Sequence, residues 1–272
     1  MSRRNTIAVR ACLALDDVCR TVFSFEEPVD VASDEYAEAY FRRKVAESQA
    51  FLGRFPPMDR LEVLEIGCGY GGMLVALAKT GARPLGIDVD RHRVAFAQQN
   101  GLPARQAGAE SLPFESESFD AIVCDEVIEH LTDVDTALRE AFRVLRPGGR
   151  FHAVWGPSWL TYNGPHLIKV LAIPWAHLLF SDRTIVEALL VRKRQGRWPA
   201  SNLDARIEDF LRMGRVTRKK LRAGARAAGF LIEREETWSP RRMKHAISRI
   251  PPFDELLAGE LTAVLLRPPG AV

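Results

Sequence analysis

Cysteine is scarce in this chain: Cys12, Cys19, Cys68 and Cys124 are the only four in 272 residues. None has the C-x-x-C spacing of a zinc site, and four scattered thiols make no disulfide framework. A reducing compartment suits them, and a cytoplasmic protein is the expectation. Long apolar runs are also missing. The longest, Leu167 to Phe180, is interrupted by Lys169, Pro174 and His177 and falls short of the roughly 20 residues a spanning helix needs. The early apolar stretch is broken by Arg10 and Asp16-Asp17 before a signal-peptide core can form. Nor is there an excess of one charge: 38 basic against 35 acidic side chains leave +3, so net charge names no partner. With 47% hydrophobic residues, general disorder is excluded and a substantial core is available. One region departs from this balance. Between Arg192 and Arg226 twelve Lys/Arg face only Asp204, Glu208 and Asp209, as a solvated surface or as an attractor for a phosphorylated, nucleotide-linked or polyanionic substrate.

What is present is a regular alternation. Residues 1–58 read as mostly helical and end at Pro56-Pro57. From Leu61 the pattern is strand 61–66, a glycine-rich turn, helix 73–79, strand 83–88, helix 91–99, strand 104–107, strand 119–124, helix 135–145 stopped by Pro147-Gly148-Gly149, and strand 150–155. Right-handed crossovers stack such units into a parallel sheet with helices on both faces. Residues 156–214, with Trp159, Tyr162, Trp175 and Trp198 among several prolines, read as an irregular, partly helical cap inserted after the fifth strand. A basic amphipathic helix 217–228 and strands 230–238 and 261–266 complete the chain. The expected organisation is a 1–58 segment over the cofactor site, a core of 59–155 and 215–272, and a substrate-binding cap of 156–214.

Gly67-Cys68-Gly69-Tyr70-Gly71-Gly72 follows the first strand and opens a helix, so its backbone N–H groups face whatever ligand lies across the strand ends. G-x-G-x-x-G alone suggests a dinucleotide site and is a weak signal. Glu65, two residues before the loop, would repel a diphosphate and attract a cation. Asp88, at the end of the second strand, can accept hydrogen bonds from a ribose diol in either case. Tyr40 and Lys44 have the Y-x-x-x-K spacing of some hydride-transfer enzymes but precede the loop, where that pair does not belong; the helix they share suits a charged surface or a cover over the cofactor.

Val63-Leu64-Glu65-Ile66-Gly67-Cys68-Gly69-Tyr70-Gly71, Gly86-Ile87-Asp88, Leu112-Pro113-Phe114, Phe119-Asp120, Glu129-His130 and Arg143 to Gly149 together resemble the successive motifs of class I S-adenosylmethionine-dependent methyltransferases over about 61–155. The resemblance implies an α/β fold with a doubly wound, seven-stranded, mostly parallel sheet of order 3-2-1-4-5-7-6, its last strand antiparallel. It implies S-adenosylmethionine as cofactor, held by Gly67, Cys68 and Gly69 near the methionine, Glu65 near the amino end, Asp88 on the ribose, Val89 on the adenine, and main-chain or side-chain groups of Ala109, Glu110, Cys124 and Asp125, with Tyr40 covering. Similar proteins often have Gly-Asp-Ala-Glu where this chain has Ala107-Gly108-Ala109-Glu110, so the carboxylate for the adenine amine is missing unless Glu110 replaces it.

Methyl transfer from a sulfonium needs alignment first; a base helps when the acceptor is a hydroxyl. His166 in the cap and His130 after the fourth strand are the candidate catalytic residues, with His177 behind them. No metal site is expected, since Asp125 has no second acidic pair in register. The Asn/Asp-Pro-Pro-aromatic element that cradles nucleobase amines is absent, so no nucleic-acid partner is expected. A small organic acceptor of natural-product, sugar or isoprenoid-like character fits the aromatic cap, with O-, N- or C-methylation open. The rival readings are a nicotinamide-dependent oxidoreductase and an RNA-directed methyltransferase or adaptor.

Overall fold

The structure, a computed structural model, describes residues 3–22, 34–166, 171–196, 200–238, 253–256 and 260–270. Part of the cap's apolar run, Trp198, and most of the segment between the last two strands lie outside the described residues. Two helices, α1 (Arg3–Val22) and α2 (Asp34–Leu52), precede the sheet. The core then runs β1 (Glu62–Ile66), α3 (Gly72–Lys79), β2 (Arg83–Asp88), α4 (Arg91–Gln99), β3 (Ala104–Gln106), β4 (Phe119–Asp125), α5 (Val134–Val144) and β5 (Leu145–Trp155). The cap contributes α6 (Ala176–Leu179), α7 (Asp182–Arg194) and α8 (Ala200–Arg212), and the chain returns through α9 (Arg218–Ala228), β6 (Leu231–Trp238) and β7 (Glu260–Leu266).

The seven strands lie in the order β3-β2-β1-β4-β5-β7-β6, with β7 antiparallel to both neighbours. The winding reverses between β1 and β4, and a ligand in such a sheet sits at the carboxyl ends of the strands flanking that point. Local chemistry sets the boundaries: Asp90 caps α4 by accepting from His92 and Arg93 N–H, Asp133 caps α5, and Thr217 and left-handed Gly229 bracket α9. One boundary differs from the sequence reading. β5 begins at Leu145, which pairs with Phe119, and the ladder shifts register before Arg150 pairs with Ala121. Pro147-Gly148-Gly149 is therefore an irregularity within the strand, with Gly148 at φ 84°, and it does not precede the strand.

The 1–58 segment divides between two bodies. α2 lies on α3, whereas α1 packs on α7, its Val9 and Cys12 sharing an apolar cluster with Trp159, Ile185, Leu189 and Phe210 of the cap. Arg192 crosses this junction fully buried: its Nε donates to Asp16 Oδ2 at 2.9 Å and its guanidinium also reaches Asp17 and the Leu13 carbonyl. Asp16 in turn accepts the Ala172 N–H at 2.6 Å. Several other cations of the basic stretch are paired nearer the surface. Lys193 pairs with Asp204, Arg215 with Asp182, and Arg218 and Arg222 with Glu235, so these cations serve the fold.

His152 on β5 is buried beneath the Phe55 ring, 4.7 Å between centroids. Burial, aided by Arg150, lowers its pKa from 6.5 to about 4. The unfolded chain therefore binds a proton that the folded chain refuses, and stability falls as pH drops from about 6.5 toward 4, by up to about 3 kcal/mol. Urea unfolding at pH 7 and 4.5 should show this loss, and His152→Leu should flatten it; an identical slope in the variant would exclude His152 as the source.

Candidate active site

The glycine loop is held in place by the strand beside it. Gly67 and Cys68 N–H both donate to the Ile87 carbonyl, at 2.8 and 2.9 Å. Gly69 N–H donates to Asp88 Oδ2 at 2.9 Å, and Asp90 N–H to Asp88 Oδ1 at 2.8 Å. Each Asp88 oxygen keeps a second lone pair, which can accept a hydroxyl. Two glycines have steric reasons to be glycine. A Cβ on Gly67, at φ 78°, would stand 2.1 Å from Val127 Cγ2, while a Cβ on Gly69, at φ 51°, would project into open space with nothing within 4 Å. That open space is the cradle.

Glu65 forms its floor. Its carboxyl is buried, and Oε2 has no hydrogen-bond partner among the described residues. Burial first, then Asp125 and Asp88, push its pKa up to about 8, with Lys44 opposing. A buried acceptor in this state is stabilised by an incoming cation. Over the loop stands α2, with the Tyr40 ring 5.7 Å from Tyr70 and the Arg43 guanidinium 5.0 Å from the Tyr40 ring.

At the end of β4, Lys44 Nζ lies 2.8 Å from Asp125 Oδ2 and 3.1 Å from Glu126 Oε2. A short 3-10 turn, Ile128–His130, follows. Glu129 is buried there, its Oε1 accepting the Gly156 N–H at 3.4 Å, and burial raises its pKa to about 7. His130 stacks on His166 of the cap, 5.2 Å between centroids and 5° between planes. On its other side His130 Nδ1 lies 3.1 Å from Asp209 of α8; burial opposes its charge, but Asp209 and Glu129 raise its pKa on balance. His166 Nε2 is 4.0 Å from Glu129 Oε1. Glu129, His130 and His166 each present one ligand atom within 4.8 Å of the others, a set that suits either proton transfer or a divalent cation.

Residues 64–153 match the family model described as a methyltransferase domain. Over this stretch the core is a methyltransferase domain. The ubiquinone biosynthesis O-methyltransferase of Sinorhizobium medicae is 36% identical over 121 residues, covering 41% of this chain and 48% of that protein. Thus the chain spans about half the length of the curated relatives it matches. An S-adenosylmethionine-dependent methyltransferase from Mesorhizobium loti shares the fold, with TM-score 0.54 and 21% identity over 82% of this chain and 98% of its own. The methyltransferase bound to the Trm112 activator of Haloferax volcanii does so with TM-score 0.56 and 20% identity, over 88% and 96%.

The cofactor of these methyltransferases, S-adenosylmethionine, fits the residues present. Its ammonium would find a partner in buried, unsatisfied Glu65 and its ribose diol in the Asp88 carboxylate. Tyr40, Glu65, Gly67, Cys68, Gly69, Asp88 and Asp125 all gather at the carboxyl ends of β1, β2 and β4. Val89 is 70% exposed and lies near Gly108, while Ala109 is buried. Glu110 accepts the Thr132 N–H at 3.3 Å through Oε1. The thiols of Cys68 and Cys124 are buried and pushed up by that burial, the behaviour of small, unreactive core fillers. His177 is no base: its Nε2 lies 2.6 Å from the Trp159 carbonyl in the cap interior. Lys44, Glu126 and Glu129 join the site although none of them was among the expected site residues; the segment 124–130 that carries the two glutamates was read as pointing toward the transfer site, and Lys44 was noted only for its spacing from Tyr40.

Proposed function

We propose that the protein methylates an oxygen of a small organic acceptor, using S-adenosylmethionine, in the cytoplasm. The observation that carries this reading is the Glu129–His130–His166 group at the end of β4, directly beside the carboxylates of the cofactor cradle. The bound cofactor supplies an electrophilic methyl on a sulfonium sulfur. The chain's part is to fix the acceptor in line, exclude water and take the hydroxyl proton. His166 is placed to receive that proton, and buried Glu129, with a pKa of about 7, stabilises the imidazolium that results. Asp209 and the stacked ring of His130 hold the arrangement in register. The relatives' names, as O-methyltransferases, agree with an oxygen acceptor, as does the absence of any described helix long and apolar enough to cross a membrane with a small-molecule substrate reached from water.

The convergence of three ligand atoms favours a second reading, in which a divalent cation held by Glu129, His130 and His166 acidifies the hydroxyl. S-adenosylhomocysteine production with phenol, alcohol and amine panels, with and without chelator, tests both. We expect turnover with hydroxyl acceptors only. Activity that survives chelation supports the histidine base, and activity lost and restored by a divalent metal supports the cation. Turnover confined to amines would overturn the oxygen assignment.

A further inference from the structure

Asp16 and Arg192 are charged side chains buried where α1 meets the cap, 0% and 4% exposed. Two apolar helix faces need no ion pair to hold together, and replacing a buried pair by apolar groups is often neutral or stabilising, so cohesion alone does not account for it. The geometry supplies a further role. Arg192 Nε and Arg20 Nε both donate to Asp16 Oδ2, at 2.9 and 3.1 Å, while Oδ1 accepts the Ala172 N–H at 2.6 Å. Two guanidinium groups on one oxygen thus aim the other at a single backbone N–H of the cap.

From Ala172 the connection continues to the catalytic group. Leu171, Ala172 and Ile173 are buried. Trp175 N–H then donates to the Tyr162 carbonyl at 2.9 Å, its indole Nε1 donates to the Leu160 carbonyl at 3.2 Å, and His177 Nε2 lies 2.6 Å from the Trp159 carbonyl. Residues 171–177 are thereby clamped along 159–162, the run that leads into the turn closed by His166 N–H on the Asn163 carbonyl at 2.8 Å. Trp175 and His166 both have positive φ, 56° and 53°, a conformation that non-glycine residues keep only where their surroundings impose it. Packing, not local backbone preference, therefore sets His166 against Glu129 and His130. Resting on the reading of His166 as the proton acceptor, we propose that Asp16 is a positioning residue: oriented by Arg192 and Arg20, it fixes the 171–177 segment and through it the turn that carries His166 to Glu129. α1, which precedes the methyltransferase domain of 64–153, then belongs to the support of the proton-transfer group.

Asp16→Ala should lower kcat for a hydroxyl acceptor by about tenfold to 10²-fold, the range that a small misplacement of a reacting group produces, with S-adenosylhomocysteine affinity by calorimetry within about twofold. Asp16→Asn keeps an oxygen for the Ala172 N–H and should recover most of the rate. A double-mutant cycle decides whether the effect runs through His166: in a His166→Ala background, Asp16→Ala should cost little or nothing further. Trp175→Phe, which removes the indole N–H and keeps an aromatic ring, should show the same lack of additivity with a smaller loss, and it takes over the cycle should Asp16→Ala not fold. The full loss repeated in both backgrounds would overturn the proposal and leave Asp16 a fastening for α1. So would an unchanged kcat in Asp16→Ala, or a matching fall in S-adenosylhomocysteine affinity, which would report a general loosening of the fold. A His166→Ala rate equal to that of the wild type would instead refute the histidine reading itself, a result in hand before Asp16 is altered.

Discussion

His166→Ala should lower turnover of a hydroxyl acceptor by roughly 10²- to 10⁴-fold, the usual contribution of a positioned acid–base group, while S-adenosylhomocysteine affinity stays within about twofold. The two effects separate because His166 comes from the cap and is no part of the glycine loop. Loss of its ring removes a stacking partner from His130 but no element of the sheet, so the fold should survive. The residual rate should climb with pH, since the acceptor must then ionise unaided, and added imidazole should restore part of it. An unchanged kcat with a raised KM would show that His166 positions the acceptor and takes no proton. If both parameters matched the wild type, the cap would lose its place in the site, and the acceptor would have to approach from α2 around Tyr40.

Asp88→Ala should cost at least tenfold in cofactor affinity, about 1.4 kcal/mol, because hydrogen bonds to a charged group contribute roughly 1.5 to 3 kcal/mol each. The structure adds a second reason. Asp88 accepts the N–H groups of Gly69 and Asp90, so the same carboxylate orders the loop that surrounds the methionine end. Asp88→Asn keeps one acceptor oxygen and should lose less than Asp88→Ala. Calorimetry with S-adenosylhomocysteine measures both, and equal affinity in wild type and Asp88→Ala would withdraw the ribose assignment. Cofactor loss should raise KM for the cofactor without altering which acceptors are used, the reverse of the His166 pattern.

The glycine loop, Glu65 and Asp88 were readable because their geometry is local. β1, its turn, α3 and β2 lie between Glu62 and Asp88, and each position follows from a short-range demand: a strand end, a left-handed turn, a helix N-terminus. The strand order was reachable in the same way, through the motif succession from Val63 to Gly149 and the two strands of the tail. Where local rules blurred, the reading slipped by a few residues, as at Leu145, whose pairing with Phe119 across the sheet outweighs the Pro147-Gly148-Gly149 break.

The groups at the end of β4 were brought together by packing between distant parts of the chain. Lys44 and Glu126 are 82 positions apart and His130 and Asp209 are 79 apart, and neither pair has any spacing that marks it. The same holds for Arg192, which the sequence placed in a basic surface stretch and the fold buries against Asp16, 176 positions away. Such pairs form only after apolar faces have docked, α2 onto α3 and α1 with α7 and α8 into the cap cluster. The sequence by itself determined a glycine loop flanked by two acidic strand ends, Glu65 and Asp88, because those groups are tied by the backbone that carries them. Which side chains close the other half of the site was settled by tertiary structure, since burial of apolar surface, indifferent to the charges it carries along, chooses which helices meet.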